Sequence, residues 1–279
     1  MTNKLILNIL IIFNLLILSI QTKAQNTSAF TPKNNKGRFY VYWGWNKEGY
    51  TRSDIHFEGK NYNFDLYNVI ADDRQSPIKA KLYLNPANIT IPQYNFRLGY
   101  FINEQWNISF GADHMKYVVR QNQNVRIDGV INETGSVHDG QYANEDIKIV
   151  KGFLELEHTD GLNYVNADIR KLLPFKTWKK VNVLLTYGLG AGVVIPRTDA
   201  TLLNFKRNDN FYVEGFGASA MIGVQFKLAN HFFIQSEYKV GYINLSDIRT
   251  TASKEDFASQ HFFFGQYNIL FGSYFGFKK

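Results

Sequence analysis

Residues 182–196 read NVLLTYGLGAGVVIP, and three glycines stand at positions 188, 190 and 192. Leu189, Ala191 and Val193 follow those glycines, so apolar side chains alternate with positions that carry none. An alternation of period two is typical of a β-strand whose two faces meet different surroundings. The run is also shorter than the roughly 20 apolar residues that a membrane-spanning helix needs. We therefore interpret it as a strand with one apolar face and one face that carries almost no side chains.

The same alternation recurs in seven other segments. In the first of them, the apolar face carries Phe39, Val41, Trp43 and Trp45, and the other face carries Arg38, Tyr40, Tyr42, Gly44 and Asn46. The eight segments cover residues 38–46, 93–102, 106–118, 162–170, 181–196, 211–227, 231–243 and 261–279. Repeated strands of about ten residues with turns between them indicate an antiparallel β-sheet protein.

The composition indicates which face of these strands meets lipid. The chain has 23 Phe, 17 Tyr and 21 Gly, yet its mean hydropathy is only −0.26. A soluble β-sandwich or a lipocalin-like barrel also alternates, but it buries the apolar face. Glycines at alternate positions, on the strand face opposite to Leu189 and Val193, fit a crowded polar interior better than an apolar core. We therefore expect an all-β fold, an antiparallel transmembrane β-barrel of about eight strands.

The connections between the segments alternate strictly in length. Short ones lie near 103–105, 173–179 and 228–230, and long ones near 47–91, 121–151, 197–210 and 247–257. Bacterial barrels keep short turns in the periplasm and long loops outside. We therefore expect a barrel over residues 37–279 with periplasmic termini and long extracellular loops. Within 47–91, DIHFEG and NFDLYNVIA alternate as well and predict an extracellular hairpin.

The first residues predict export. Lys4 precedes an apolar stretch and Thr22–Lys23–Ala24 follows it, which predicts a signal peptide over 1–24 and a periplasmic segment over 25–36. The alternative is an uncleaved single-span anchor. The chain has no cysteine, so it carries neither a disulfide framework nor a lipid-acceptor cysteine. Without residues 1–24 the net charge is +5, which suits anionic lipid or lipopolysaccharide but is too small to indicate nucleic-acid binding.

With this pattern, the chain resembles the small, eight-stranded bacterial outer-membrane β-barrels of the OmpA and OmpW type. Aromatic residues at strand ends, Trp43, Trp45, Trp106 and Trp178, and the last strand SYFGFKK carry the resemblance. The chain departs from it where Lys278 and Lys279 follow the last aromatic residue. The resemblance implies location in the bacterial outer membrane, where the expected partners are lipid, lipopolysaccharide and other outer-membrane proteins.

Charged residues of both signs fall on the predicted inner face: Arg38, Arg97, Asp113, Asp168, Arg170, Glu237 and Lys239. An eight-stranded barrel is only wide enough for its own side chains, so we expect these residues to form an ion-pair network that fills the lumen. A gated path for protons or small solutes is the alternative. The inward glycines would leave room for long side chains such as Arg97, Arg170 or Lys239, and Gly190→Leu should hinder folding.

The sequence predicts no cofactor and no metal site. Asn68, Asp72 and Asp73 lack the DxDxDG spacing of a calcium loop and are interpreted as solvated acids and amides of a loop.

The predicted function is that of a non-conducting barrel that acts through its loops, chiefly 47–91 and 121–151, in binding or in an envelope complex. The alternatives are a narrow transport barrel of the OmpW type and an acyl hydrolase or acyltransferase that acts on lipid A at the rim. For the enzyme, Ser259 and His261 share one face with Glu255 nearby, although the deacylase pattern has His before Ser. A second place is His114, expected to point outward beside the inward Asp113.

Overall fold

The computed structural model describes residues 35–276 apart from 78, 84, 86–91, 179–180, 204, 206–207 and 229–230. The predicted signal peptide, residues 25–34 and the chain end from Phe277 to Lys279 lie outside the described residues. The elements are β1 (Phe39–Tyr50), β2 (Ser53–Gly59), β3 (Tyr62–Val69), β4 (Ala71–Asp72), α1 (Ala80–Tyr83), β5 (Tyr94–Phe101), β6 (Trp106–Val119), β7 (Asn124–Ile131), β8 (Gly140–Lys148), β9 (Leu154–Trp178), β10 (Val181–Val194), β11 (Arg197–Leu202), β12 (Asn208–Phe211), β13 (Gly215–Leu228), β14 (Phe232–Arg249) and β15 (Phe257–Phe275). Helices long and apolar enough to span a membrane do not occur in this part of the chain.

Eight of the strands pair in a ring. Their order is β1, β5, β6, β9, β10, β13, β14 and β15, and β15 pairs with β1 from Phe275–Phe39 to Phe264–Tyr50. Every pairing in the ring is antiparallel. The predicted all-β, antiparallel barrel fold is therefore confirmed.

The wall of the ring has the polarity of a membrane protein. Phe110 and Leu189 face outward and are 63% and 64% exposed, whereas Arg97 and Lys239 face inward and are fully buried. Large apolar side chains lie in lipid, and charged ones lie inside, as in outer-membrane barrels. The outward and inward faces agree with the alternation predicted for all eight segments.

The three glycines of β10 face inward, but the groups that occupy the space beside them belong to the neighbouring strand. A Cβ atom at Gly190 would lie 2.0 Å from Oδ1 of Asp168 on β9, and one at Gly188 would lie 2.9 Å from Cγ of Arg170. Of the three long side chains expected beside these glycines, Arg170 is the one in contact, and it comes from the adjacent strand. The glycines therefore admit the buried charges of β9.

One predicted turn begins too early. Residues 173–178 belong to β9, which continues to Trp178 and pairs there with Val181. Pro174 pairs with Leu184 where the register shifts, and a proline that cannot donate a hydrogen bond is tolerated at such a bulge. The sequence indicated a turn because the apolar alternation ends at Pro174.

The long connections form a second β-structure above the ring, which we call the platform: β2, β3, β4, β7, β8, β11 and β12 with the outer ends of β6, β9, β14 and β15. The predicted hairpin is present as β2 and β3, and it continues the sheet from Phe257–Gln260 of β15. Its inward side chains, such as Phe57 and Phe64, belong to a buried apolar core that also includes Leu156. The described parts of the predicted loops form strands because their own apolar faces are buried there.

The inward crowding at β10 predicts opposite results for two neighbouring substitutions. Gly190→Leu should reduce the folded fraction sharply, because even a Cβ atom there overlaps Asp168. Ala191→Leu, on the lipid face one residue later, should fold as the wild type does. Folding into detergent is measured by the gel mobility of unheated samples. Equal folding of the two variants would contradict the inward assignment.

Candidate functional site: the filled lumen and the platform

The periplasmic end of the lumen is closed by aromatic side chains. Tyr40, Tyr42, Phe233 and Tyr274 form an apolar cluster with Phe101, Leu172, Leu184 and Leu270. The rings of Phe233 and Tyr274 are 4.8 Å apart, and Tyr40 donates a hydrogen bond of 2.8 Å to Asn107 Oδ1. The cavity left between these rings measures about 10 Å³, which holds at most one water molecule.

A charged layer lies above the aromatic one. Arg97 contacts Asp168 at 2.8 Å and Asp113 at 3.3 Å. Arg170 contacts Asp168 at 2.5 Å and Glu237 at 2.7 Å. Lys239 completes the layer through a contact with Asp113. All these side chains are buried, so each depends on its partners for the solvation lost on leaving water.

The structure brings together six of the seven residues that the sequence placed in this network. The seventh, Arg38, lies at the periplasmic end, where it donates a hydrogen bond of 3.3 Å to the Tyr274 carbonyl oxygen and its guanidinium stands 5.4 Å from that ring. The aromatic cluster separates it from the charged layer. Sequence reasoning missed Glu48, which is inward and buried two residues beyond the predicted end of the first strand.

The outer layer of the lumen is the apolar platform core, and a chain of three buried polar groups crosses its edge. Thr198 Oγ1 lies 2.8 and 2.9 Å from the carboxyl oxygens of Glu214 and 2.9 Å from Nδ1 of His158. Burial raises the pKa of Glu214 to about 8 and lowers the pKa of His158 to about 3. Both groups are therefore uncharged near neutral pH.

Thr198 has a single hydroxyl proton and cannot donate to both neighbours. It donates that proton to Glu214, so its oxygen is left to accept from Nδ1–H of neutral His158. Deprotonation of Glu214 leaves a buried charge next to Asp247, which also raises the pKa of Glu214.

The rim hydrolase was an alternative interpretation, with Ser259, His261 and Glu255 as its candidate residues. Ser259 and His261 lie on the outer face of β15, where Ser259 pairs with His56 and His261 with Asn244. Within the described ranges no hydrogen bond joins Ser259, His261 and Glu255, and the Glu255 backbone N–H donates to Ser253. A nucleophile and its base must meet within hydrogen-bond reach, so this arrangement does not support acyl transfer.

His114 lies on the outward face of β6, as expected, but neighbouring side chains cover it and it is only 8% exposed. Its ring stacks on Tyr94 at 4.9 Å, and Nδ1 lies 2.8 Å from Oδ1 of Asn163. Both partners come from neighbouring strands, which the sequence alone does not reveal. His114 therefore packs between strands and has no open side for a substrate.

The predicted loop acids are not one group. Asp72 contacts Arg120 at 2.6 Å, whereas Asp73 accepts hydrogen bonds of 2.8 Å from Gln75 and 3.1 Å from the Glu48 backbone. Asn68 has a φ of 60° and donates its backbone N–H to Asp54. Clusters of three or more His, Cys, Asp or Glu that could hold a metal ion do not occur among the residues described.

The buried charges predict a large cost for removing one cation. Arg170→Met leaves Asp168 and Glu237 each short of a buried partner and should lower the free energy of unfolding by about 3–5 kcal/mol. Arg120→Met, which removes an exposed pair with Asp72, should change it little. Urea unfolding in lipid vesicles measures both. A loss in Arg170→Met no larger than in Arg120→Met would contradict the network's role.

The Glu214 and His158 pKa values predict how platform stability depends on pH. Because folding raises the pKa of Glu214, its contribution is present below pH 4.5 and is lost as pH rises towards about 8. Because folding lowers the pKa of His158, its contribution is present above pH 6.5 and is lost as pH falls towards about 3. Between pH 4.5 and 6.5 the two slopes oppose each other, so stability should be highest in that range.

Hydrogen exchange of the β11 and β13 amides measures this dependence. In the wild type, protection should fall between pH 6.5 and 8 after correction for intrinsic exchange. Glu214→Gln should remove that fall, because its side chain stays uncharged. A fall of the same size in Glu214→Gln would show that another group is responsible.

No protein-family model and no curated protein matches the chain. Among solved structures, the chain is similar to the outer membrane protein OprG from Pseudomonas aeruginosa, with 10% identity, 88% of this chain and 99% of that chain covered, and a TM-score of 0.42. It is also similar to the outer membrane protein AlkL, solved in DMPC bilayers, with 12% identity, 91% and 97% covered, and a TM-score of 0.39. A third similar structure is Ail of Yersinia pestis, with 10% identity, 86% and 99% covered, and a TM-score of 0.32.

Such low identities and TM-scores carry no information on what this chain binds. Its own closed antiparallel ring, apolar wall and charged interior are the features of a barrel that spans the outer membrane. The chain is a small, integral β-barrel protein of the bacterial outer membrane, as predicted.

Proposed function

We propose that this protein is a non-conducting outer-membrane barrel that binds a partner protein on its platform, along the free edge of β8. The observation that carries the proposal is the position of β8 at the end of the sheet. Among the described residues it pairs with β7 alone, and most of its side chains are exposed. A strand with one open edge can accept an extended segment from another chain.

The face next to that edge is acidic. Asp65 on β3 lies directly opposite Asp128 on β7, and like charges in that position are unfavourable. His56 on β2 relieves part of this through Nδ1, 2.9 Å from Asp65. A partner segment with lysine or arginine at alternate positions would complement this face, so we propose a basic, extended segment of another envelope or extracellular protein.

The edge has features that limit indiscriminate pairing. Glu145 and Asp146 carry charge along β8, and Asn144 has a φ of 58° beside a register shift against β7. Charges and bulges on an edge strand discourage pairing with arbitrary strands. The backbone of a partner segment must therefore fit the irregular edge at Asn144. The buried core beneath β7 and β8 fixes the position of this edge before binding.

The filled lumen supports the non-conducting part of the proposal. Aromatic, charged and apolar layers follow one another from the periplasmic end to the platform. At the periplasmic end the cavity between the aromatic rings measures about 10 Å³, which argues against a proton path and against narrow transport. The apolar wall serves to anchor the platform in lipid, with lipopolysaccharide at the outer rim.

Site-specific photo-crosslinking in cells tests the partner. A photoreactive residue at Gln141 of β8 should give an adduct with one other protein, and Asp65→Asn with Asp128→Asn should reduce that adduct. The same residue at Asn210, on β12, is the control. Adducts of equal yield from both positions would contradict recognition by the β8 edge. An adduct with a second copy of this chain would show that the edge serves self-association and would contradict a different partner protein.

Planar-bilayer recording tests the lumen independently. The purified protein should give no conductance steps over a wide range of voltage, because no layer leaves a continuous path. Reproducible steps of one size would contradict the filled lumen. They would leave the crosslinking result on the platform unaffected.

A further inference from the structure

Three buried asparagine oxygens in the lumen lack a hydrogen-bond donor. Asn46 on β1, Asn95 on β5 and Asn268 on β15 are at most 4% exposed, and no described residue donates to their Oδ1 atoms. Asn46 pairs with Asn268, and Asn95 pairs with Gly44, two residues from Asn46. The three side chains therefore lie on the inner face of three adjacent strands, where an orphaned acceptor is costly.

Neighbouring acceptors fix the orientation of the first two amides. Asn46 Nδ2 donates to the carbonyl oxygens of Tyr94, at 3.1 Å, and His114, at 3.4 Å. Asn95 Nδ2 donates to a carboxyl oxygen of Asp113. Since each nitrogen faces a group that can only accept, each oxygen must point elsewhere.

The third amide is fixed through a relay. Gln266 Nε2 donates to Glu48 Oε1 at 3.0 Å, which leaves Gln266 Oε1 as an acceptor. Asn268 Nδ2 donates to that oxygen at 3.0 Å. Exchanging oxygen and nitrogen in either amide would set two donors or two acceptors against each other, so Asn268 Oδ1 is also a free acceptor.

Two carboxylates beside these oxygens have no cationic partner. Gln93 Nε2 contacts Glu48 and lies 2.5 Å from Oδ1 of Asp73. The Glu48 backbone N–H donates to Asp73 at 3.1 Å. Within the part of the chain described, neither acid forms an ion pair, and all the donors to them are neutral amides.

The lysine and arginines of the charged layer do not supply the missing charge. They are engaged with other acids in the contacts already described: Arg97, Arg170, Lys239, Asp113, Asp168 and Glu237. The ammonium group of Lys239 contacts Asp113. Three cations thus serve three acids, and Glu48 and Asp73 remain as two additional carboxyl groups without a cationic contact among the described residues.

We propose that the inner faces of β1, β5 and β15 hold a divalent cation site of the calcium class. Glu48 and the amide oxygens of Asn46, Asn95 and Asn268 provide its ligands, and Asp73 contributes charge at its outer side. Carboxylate and amide carbonyl oxygens are the ligands that Ca²⁺ takes, in irregular numbers and geometry. When both carboxyl groups are ionised, a divalent ion matches their combined charge. Asp73 is partly exposed and Gln75 is exposed, so an ion would enter the site from the extracellular side.

The test uses full-length protein refolded into a zwitterionic detergent without lipopolysaccharide, which itself binds calcium. Calcium should bind with a stoichiometry near one by titration calorimetry and raise the temperature at which the barrel unfolds by several degrees over EDTA. Glu48→Gln should unfold at a higher temperature than the wild type in EDTA and should lose the calcium response. Asn268→Asp should do the reverse, unfolding earlier in EDTA and binding calcium about tenfold more tightly.

Glu145→Gln, an exposed acid of β8, is the matched control and should respond to calcium as the wild type does. If Glu48→Gln does not fold, the calcium affinity of Asn268→Asp relative to the wild type tests the site instead. Equal calcium responses of the wild type and Glu48→Gln would overturn the site, as would unchanged affinity in Asn268→Asp. Magnesium as effective as calcium would overturn the assignment to the calcium class.

Discussion

Closure of the sheet by β1 and β15 is the constraint on which the rest of the structure depends. An unpaired backbone N–H or carbonyl group in lipid costs on the order of several kcal/mol, because no water is there to bind it. The pairing from Phe39–Phe275 to Tyr50–Phe264 removes both open edges at membrane depth. A closed ring of eight strands then fixes a narrow interior, and that narrowness determines which side chains can fill it.

The interior follows from that geometry. A narrow lumen excludes bulk water, so charges on the inner face must neutralise one another, as Arg97, Asp168 and Arg170 do. Where a strand carries no side chain, as at Gly190, the neighbouring strand fills the space. The free edge of β8 is possible only because it lies above the lipid, where water solvates an unpaired backbone.

The membrane-embedded part of this architecture could be predicted from sequence because one rule, alternation, governs every ring strand. The inward positions of Arg97, Asp113 and Lys239 follow from it directly. The platform could be predicted only as a hairpin, since β7 and β11 bury their apolar faces against distant segments. The burial of His114 depends on Tyr94 and Asn163, which register alone brings close. Glu48 was missed because the lipid-facing pattern ends before the strand does.

The length of β9 has a mechanical consequence. Its 25 residues extend about 80 Å, well over twice the thickness of the hydrocarbon layer, so one strand passes from the periplasmic turn into the platform. β14 and β15 are also continuous across that boundary. A force applied to the platform is therefore transmitted along the strands as shear, and many backbone hydrogen bonds resist it together. The backbone hydrogen bonds between β8 and a partner segment would instead break one after another. The partner would therefore detach at a lower force than is needed to pull the platform from the membrane.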